Sequence, residues 1–407
     1  MFSIHRKLLG AILLVLLAAP ITFAEEMSNQ ELMEELKAMK ARIQELESRL
    51  AEAESKIPVQ AQAVDPSERR AGGVKSVEER MQKLEKAIQR APEDGRWYER
   101  IQISGLVEVE AGHQSVDVGD ESENTSDVDL STVEIAADAR IEEHVNAHVL
   151  FKYEEDDVFL DEGFVTLTGS EAFPAYLIAG RQYIPFGNYD SVFVSDPNTL
   201  LLGETNEGAV VVGYRFGGEM VDISAGVFNG RASETGDDDA IDSIVASVSA
   251  TPQENLTLGA SYTNNLASAD TFNAFVVDPE GLDSLVGGWS VFATFSFLER
   301  VTLIGEFAAA LESFKAGELY DAADTLERKP SAWNLELAIT VLEDLEIGAR
   351  YGGSDDGGAD FMPETQYGAV VNWGIYGCNL AFEYLHDDFE DDARKIDTFT
   401  TQLAVEF

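Results

Sequence analysis

Carboxylates recur at even spacing in several stretches of this chain. Glu108 and Glu110 stand two apart, Glu134 and Asp138 four apart. Two is the period of a β-strand, so such residues share a face. Glu154, Glu162, Asp222, Glu306, Glu336, Glu346 and Glu383 occupy matching positions, while the bases on that face are Arg140, Lys152, Arg181, Arg215 and Arg350. If strands of this kind close around a lumen, rings of charge on the inner face decide which solutes pass. Some of these charges pair across neighbouring strands. The acids still outnumber the bases about two to one, which predicts attraction of cations and slow passage of small anions.

Other groupings carry less. His144 and His148 lie on one expected face, but four strand residues put their Cα atoms roughly 13 Å apart, too far to share a metal. They are expected as lumen-wall residues. His113 and His386 sit in acidic stretches whose spacing fits no EF-hand. No serine or threonine, histidine and carboxylate mark a hydrolase. The expectation is no catalytic residue, no metal and no cofactor.

The elements that must position these charges are strands. From Ile101 onward the hydrophobic period is two. Ile101, Ile103, Gly105, Val107, Val109 and Ala111 alternate with Gln102, Ser104, Glu108 and Glu110. Val145 to Tyr153 and Trp333 to Val341 follow the same rule. In the last segment Phe399, Thr401, Leu403, Val405 and Phe407 share a face opposite Thr400, Gln402, Ala404 and Glu406. Sixteen such segments are expected. Brief connections such as 217–219, 251–254 and 298–300 alternate with long ones at 113–126, 185–207, 230–240, 264–287, 312–331, 353–365 and 386–396.

A soluble sandwich also alternates, but its strands run mostly about five to six residues. Many here reach nine to eleven, enough to cross a bilayer at a tilt. Tyr153, Tyr183, Tyr262, Trp289, Trp333, Tyr351 and Tyr384 lie near one set of strand ends, with Phe216, Phe297, Trp373 and Phe407 near the other. Two such bands match the two membrane interfaces. The fold class expected is therefore an all-β transmembrane barrel of about sixteen antiparallel strands over 101–407. An even count puts both barrel ends on the short-turn, periplasmic side.

Residues 1–24 read as a secretory signal: His5, Arg6 and Lys7, then the apolar run Leu8 to Leu17, then Thr22-Phe23-Ala24. A membrane anchor is the alternative, but the run is short for a span. Within 25–57, Leu36, Ile43, Leu50 and Ile57 repeat every seven residues and Leu32, Met39, Leu46 and Ala53 fill the alternate sites. That pattern predicts a coiled coil, here periplasmic, with a single packed amphipathic helix as the alternative. Residues 58–100 read as a linker with a second short helix around Val77, Met81, Leu84 and Ile88. Such a helical segment could also trimerise barrels or tether the membrane to cell wall.

The single cysteine, Cys378, excludes an intrachain disulfide. The net charge of −47 is uneven. Residues 1–100 carry 16 Lys and Arg against 17 Asp and Glu, leaving 12 against 58 in the remainder. Repulsion excludes nucleic acid as a partner of that acidic part.

The order of parts — signal, coiled coil, then Ile101-Gln102-Ile103-Ser104-Gly105 opening the barrel — resembles the LbtU-type siderophore porins of proteobacterial outer membranes. Gly180-Arg181-Gln182-Tyr183-Ile184-Pro185-Phe186-Gly187 is similar to segments of porins more widely. The resemblance implies an outer-membrane porin passing small solutes, among them a ferric siderophore or other iron chelate. The partners expected are the lipid bilayer, the barrel-assembly machinery and further copies in a homotrimer. In sixteen-stranded porins the third long loop folds inward. Here that loop is 185–207, and Asp190, Asp196, Glu204 and Glu207 are expected at a narrow point, pinned by Tyr189, Phe193 and Leu200 to Leu202.

Overall fold

A computed structural model describes residues 100–407 apart from Asp120, Glu155, Asp156, Glu219, 237–240, Glu299 and 391–393. The signal segment, the coiled coil and the linker with its second helix lie outside the described residues.

Sixteen strands follow one another: β1 Ile101–Val118, β2 Glu121–Glu142, β3 Val145–Glu154, β4 Asp157–Ser170, β5 Phe173–Tyr183, β6 Asn206–Phe216, β7 Val221–Phe228 and β8 Ser243–Gln253. β9 Leu256–Thr263, β10 Gly288–Phe297, β11 Val301–Ala310, β12 Ser331–Leu342, β13 Leu345–Asp355, β14 Thr365–Ile375, β15 Cys378–Asp388 and β16 Lys395–Glu406 complete the set. Every strand pairs antiparallel with its sequence neighbours, and β1 pairs with β16, so the sheet closes into a barrel. Reciprocal bonds between Gly105 and Phe407 (N to O, 2.9 and 3.0 Å) finish the seam at the short-turn end. Closure leaves no barrel-wall edge with unsatisfied backbone groups, the condition for crossing hydrocarbon.

The outer surface is greasy. Leu335 is 53% and Phe399 54% exposed, amid many other outward aliphatics. In water such a surface would drive association; it suits lipid. Aromatic contacts ring one end of this surface. Trp289 lies 5.2 Å from Phe307, Trp333 4.8 Å from Tyr351, and Tyr384 4.8 Å from Phe399. At the other end the Tyr214 ring lies 4.6 Å from that of Phe216, tilted by 50°. Tyr183 departs from the expected band: its hydroxyl points to the Asp161 carboxylate, 3.3 Å from each oxygen.

The connections differ in two places from the sequence pattern. The stretch 113–126 is not a loop. β1 and β2 continue as a ribbon, Val118 facing Glu121, and the ribbon turns at Gly119, whose φ of +60° suits glycine. Asp, Glu and Asn are poor strand formers, so composition hid what pairing supplies. A register shift between Arg140 and Glu142 moves the next turn by one residue. His144 therefore lies in an exposed turn and not in the lumen wall. The inner face is also not uniformly polar. Val211, Phe228, Val245, Ala308, Ala310 and Ala332 face inward and pack with Phe272, Phe314, Leu319 and Met362 from the long loops. A hydrophobic core thus sits inside the barrel, on the β6 to β12 side.

Candidate functional site

The 185–207 segment folds into the barrel. Within it a short helix, α1, spans Asn198–Gly203. Three inward glutamates hold its backbone. Glu306 accepts the amides of Asn188 and Tyr189 at 2.9 and 2.8 Å, and the Ser290 hydroxyl at 2.8 Å. Glu336 accepts the Val192 amide at 2.8 Å, the Ser191 hydroxyl at 2.9 Å and the Asn334 amide at 3.0 Å. Glu383 accepts the amides of Val194 and Ser195 at 2.6 and 3.2 Å. Charge-assisted bonds of this kind are the stronger ones.

Arg350 completes the clamp. Its Nε donates to Glu336 at 2.9 Å, and both side chains are 0% exposed. Its terminal nitrogens donate to Ser191 Oγ (2.6 Å), Ser195 O (2.8 Å) and Asp196 O (3.3 Å). The guanidinium lies 4.3 Å from the Phe193 ring centroid. Glycine makes room beneath: a Cβ at Gly348 would come within 2.8 Å of Val192 and one at Gly368 within 3.2 Å of Phe193. Tyr189, Phe193, Leu200 and Leu202 are buried, and Leu201 is partly buried.

Beside this loop lies a cavity of about 820 Å³. Of the residues singled out by sequence, Glu108, Glu110, Glu134, Lys152, Glu154 and Arg181 line it from the wall, and Asp196 and Glu204 from the loop. Asp129, Asp161, Arg231 and Asp270 line it too, and alternation alone missed them; Glu406, on the polar face of the last segment, also lines it. Asp161 is turned inward next to Glu162 by a register shift between β3 and β4. Arg231 and Asp270 come from connections, which carry no strand phase. In total the lining holds ten carboxylates against three bases, with Tyr153, Phe159 and Tyr183 among the remainder.

Arg231 pairs with Glu207 and, at 3.1 Å, with Asp270. Burial pushes the Asp270 carboxyl up to about 6, with Arg231 pulling it down. Asn206 donates its amide to Asp270 and its side-chain nitrogen to Asp161 O and Oδ1, each at 3.0 Å.

The other expected wall residues lie elsewhere. His148 bridges Asp138 (2.6 Å) and Glu162 (3.1 Å). Asp222 binds Arg215 at 3.2 Å and the Tyr176 hydroxyl at 2.7 Å. Arg140 faces Asn146 across the β2–β3 ladder, and Glu346 faces Thr340 and Asn372. Asp190 accepts from Thr294 at 3.1 Å. Glu207 belongs to β6 and not to the loop.

No protein-family model matches this chain. Among solved structures, the outer membrane channel DcaP of Acinetobacter baumannii superposes with a TM-score of 0.55, covering 75% of this chain and 97% of that one at 14% identity. Salmonella typhi OmpF, in complex with daunomycin, gives 0.55 at 12% identity, and an anion-selective porin from Comamonas acidovorans gives 0.53 at 10%. The fold is thus the closed barrel of outer-membrane porins. By sequence the chain is 25% identical over 305 residues to a UPF0422 protein of Coxiella burnetii, covering 71% of this chain and 64% of that one. A UPF0422 protein of Legionella pneumophila is 25% identical over 297 residues, 65% of this chain and 55% of that one. The chain thus spans less than two thirds of the length of these relatives.

Proposed function

We propose that this protein is an outer-membrane porin that passes small hydrophilic solutes through an acidic, cation-preferring lumen. The observation that carries this reading is the ten-to-three excess of carboxylates around a cavity inside a closed, lipid-faced barrel. Clustered carboxylates in a low-dielectric tube concentrate cations and repel anions. The clamped 185–207 loop narrows the passage, with Asp196 and Glu204 on its cavity side. Glu108, Glu110, Glu134 and Lys152 face them from the wall. In the same reading the barrel assembles as a homotrimer after insertion by the barrel-assembly machinery, and the 25–57 coiled coil hangs in the periplasm.

The test is planar-bilayer recording of the purified barrel. Discrete conductance steps are expected, with a reversal potential toward the cation in a salt gradient. A reversal potential favouring chloride would reject the lumen assignment. Iron-chelate passage rests on the resemblance to siderophore porins. The acidic lining favours cationic or neutral chelates over anionic ones. Saturable, competitive binding of a chelate would separate a carrier from a general pore.

A further inference from the structure

Among the described residues that line the cavity, Lys152 is the one amine; the other two bases are the guanidinium groups of Arg181 and Arg231. The Lys152 ammonium is set among acids from four adjacent strands, β1 to β4. Glu154, two residues further along β3, accepts from its Nζ at 2.9 Å. Glu134 is its direct partner across the β2–β3 ladder. Glu108 of β1 and Asp161 of β4 also interact with its charge. From the facing loop, Asp196 feels the same charge. The Lys152 side chain is 18% exposed, so its ammonium is held within the group and does not wave in solvent. It stands where a passing cation would be drawn, and its tether prevents it from leaving.

Charge density decides which cations such a place retains. Clusters of oxygen ligands hold calcium more tightly as carboxylates are added. Conduction needs attraction strong enough to bring an ion in and weak enough to let it go. Glu108, Glu134, Glu154 and Asp161 with no resident cation would retain a divalent ion and stop the traffic behind it. A tethered ammonium stays there at high effective concentration. It cancels one of the charges and leaves a net negative wall that still attracts monovalent cations. Arg181 brings the same charge to the same lining, but its Nε donates to the Asp161 backbone carbonyl, at 3.2 Å.

Resting on the porin reading and naming its solute class, we infer that Lys152 is the specificity-determining residue that lets monovalent cations through and keeps divalent cations from lodging in the pore.

The experiment records potassium current through the full mature chain in planar bilayers while calcium chloride is added. Calcium at about millimolar concentration, the range of weakly built oxygen sites, should spare the parent and block Lys152→Gln. Half-block should need about tenfold less calcium in the variant than in the parent, the scale on which ligand charge tunes such sites. Lys152→Arg keeps the charge and should behave as the parent. Arg181→Gln removes one positive charge from the same lining; it should shift the reversal potential and admit no calcium block. Calorimetry of calcium binding in detergent is the second readout, and Lys152→Met is the second variant should Lys152→Gln fail to insert. An equal block in Arg181→Gln overturns the inference and leaves a field effect alone. Conductance steps with the same calcium response in the parent and in Lys152→Gln sink the role of Lys152 and spare the porin. Calcium binding to Lys152→Gln but not to the parent, with no steps from either, does the reverse.

Discussion

Two walls of the same barrel use the same residue type for opposite purposes. On β11, β12 and β15, Glu306, Glu336 and Glu383 are met by backbone amides, hydroxyls and Arg350, and the loop lies tight against them. On β1, β2, β3 and β16, Glu108, Glu110, Glu134, Glu154 and Glu406 line the cavity and hold no loop backbone; Glu154 pairs with Lys152 and Glu110 with Gln402 of the same wall, each at 2.9 Å. An inward glutamate on a strand is thus either a fastener or a source of field. The donors that the fold brings to it decide which.

The largest effect should come from breaking the fastened wall. Glu336→Ala takes from the buried Arg350 the carboxylate to which its Nε donates, a change that costs about 3–5 kcal/mol in comparable buried pairs. The unfolding midpoint in detergent should fall, and single-channel conductance should rise and become noisy as the loop comes loose. An unaltered midpoint would mean that the clamp contributes nothing.

On the open wall, Glu110→Gln with Asp129→Asn should leave the unfolding midpoint within about 0.5 kcal/mol of the parent, the usual range for substitutions outside packed features. Its reversal potential should shift toward non-selectivity. Should stability fall as much as in Glu336→Ala, the contrast between the walls is void.

A smaller effect should follow pH. Asp270, raised to about 6 by burial, is charged above that value and neutral below it. Cation preference should therefore decline as pH drops from 7 to 5. Asp270→Asn should flatten the curve in that window, measured as reversal potential against pH.

The smallest change is expected at Lys315, which pairs at 2.8 Å with Asp283 where both side chains are more than half exposed. Exposed pairs of this kind contribute little. Lys315→Ala should alter neither the unfolding midpoint nor the conductance. A clear loss of either would show that the long loops tune the pore from a distance.

Much of this was legible in the residues. Sixteen strands, their order and their closure follow from the period of two, because a strand between lipid and lumen must alternate. The same logic found Glu108, Glu134 and Lys152 on the cavity wall. It failed where a period of two breaks. The shift at Glu142 sent His144 into a turn, and the one at Asp161 added a carboxylate beside Glu162. It failed again where apolar residues occupy both faces, as in Val210 to Val212 of β6, where Val211 is buried inside the barrel.

The sequence by itself determined which medium each strand face can tolerate, because hydropathy is a local property of the side chain. It also determined the sign of the interior charge, since every inward carboxylate is written in the chain. Only the tertiary structure decided which of those carboxylates fasten a loop and which line a cavity. That choice rests on loop amides more than a hundred residues away for Glu306 and Glu336, with Arg350 of the neighbouring strand joining Glu336. Such distances are closed by the barrel and leave no trace in local spacing.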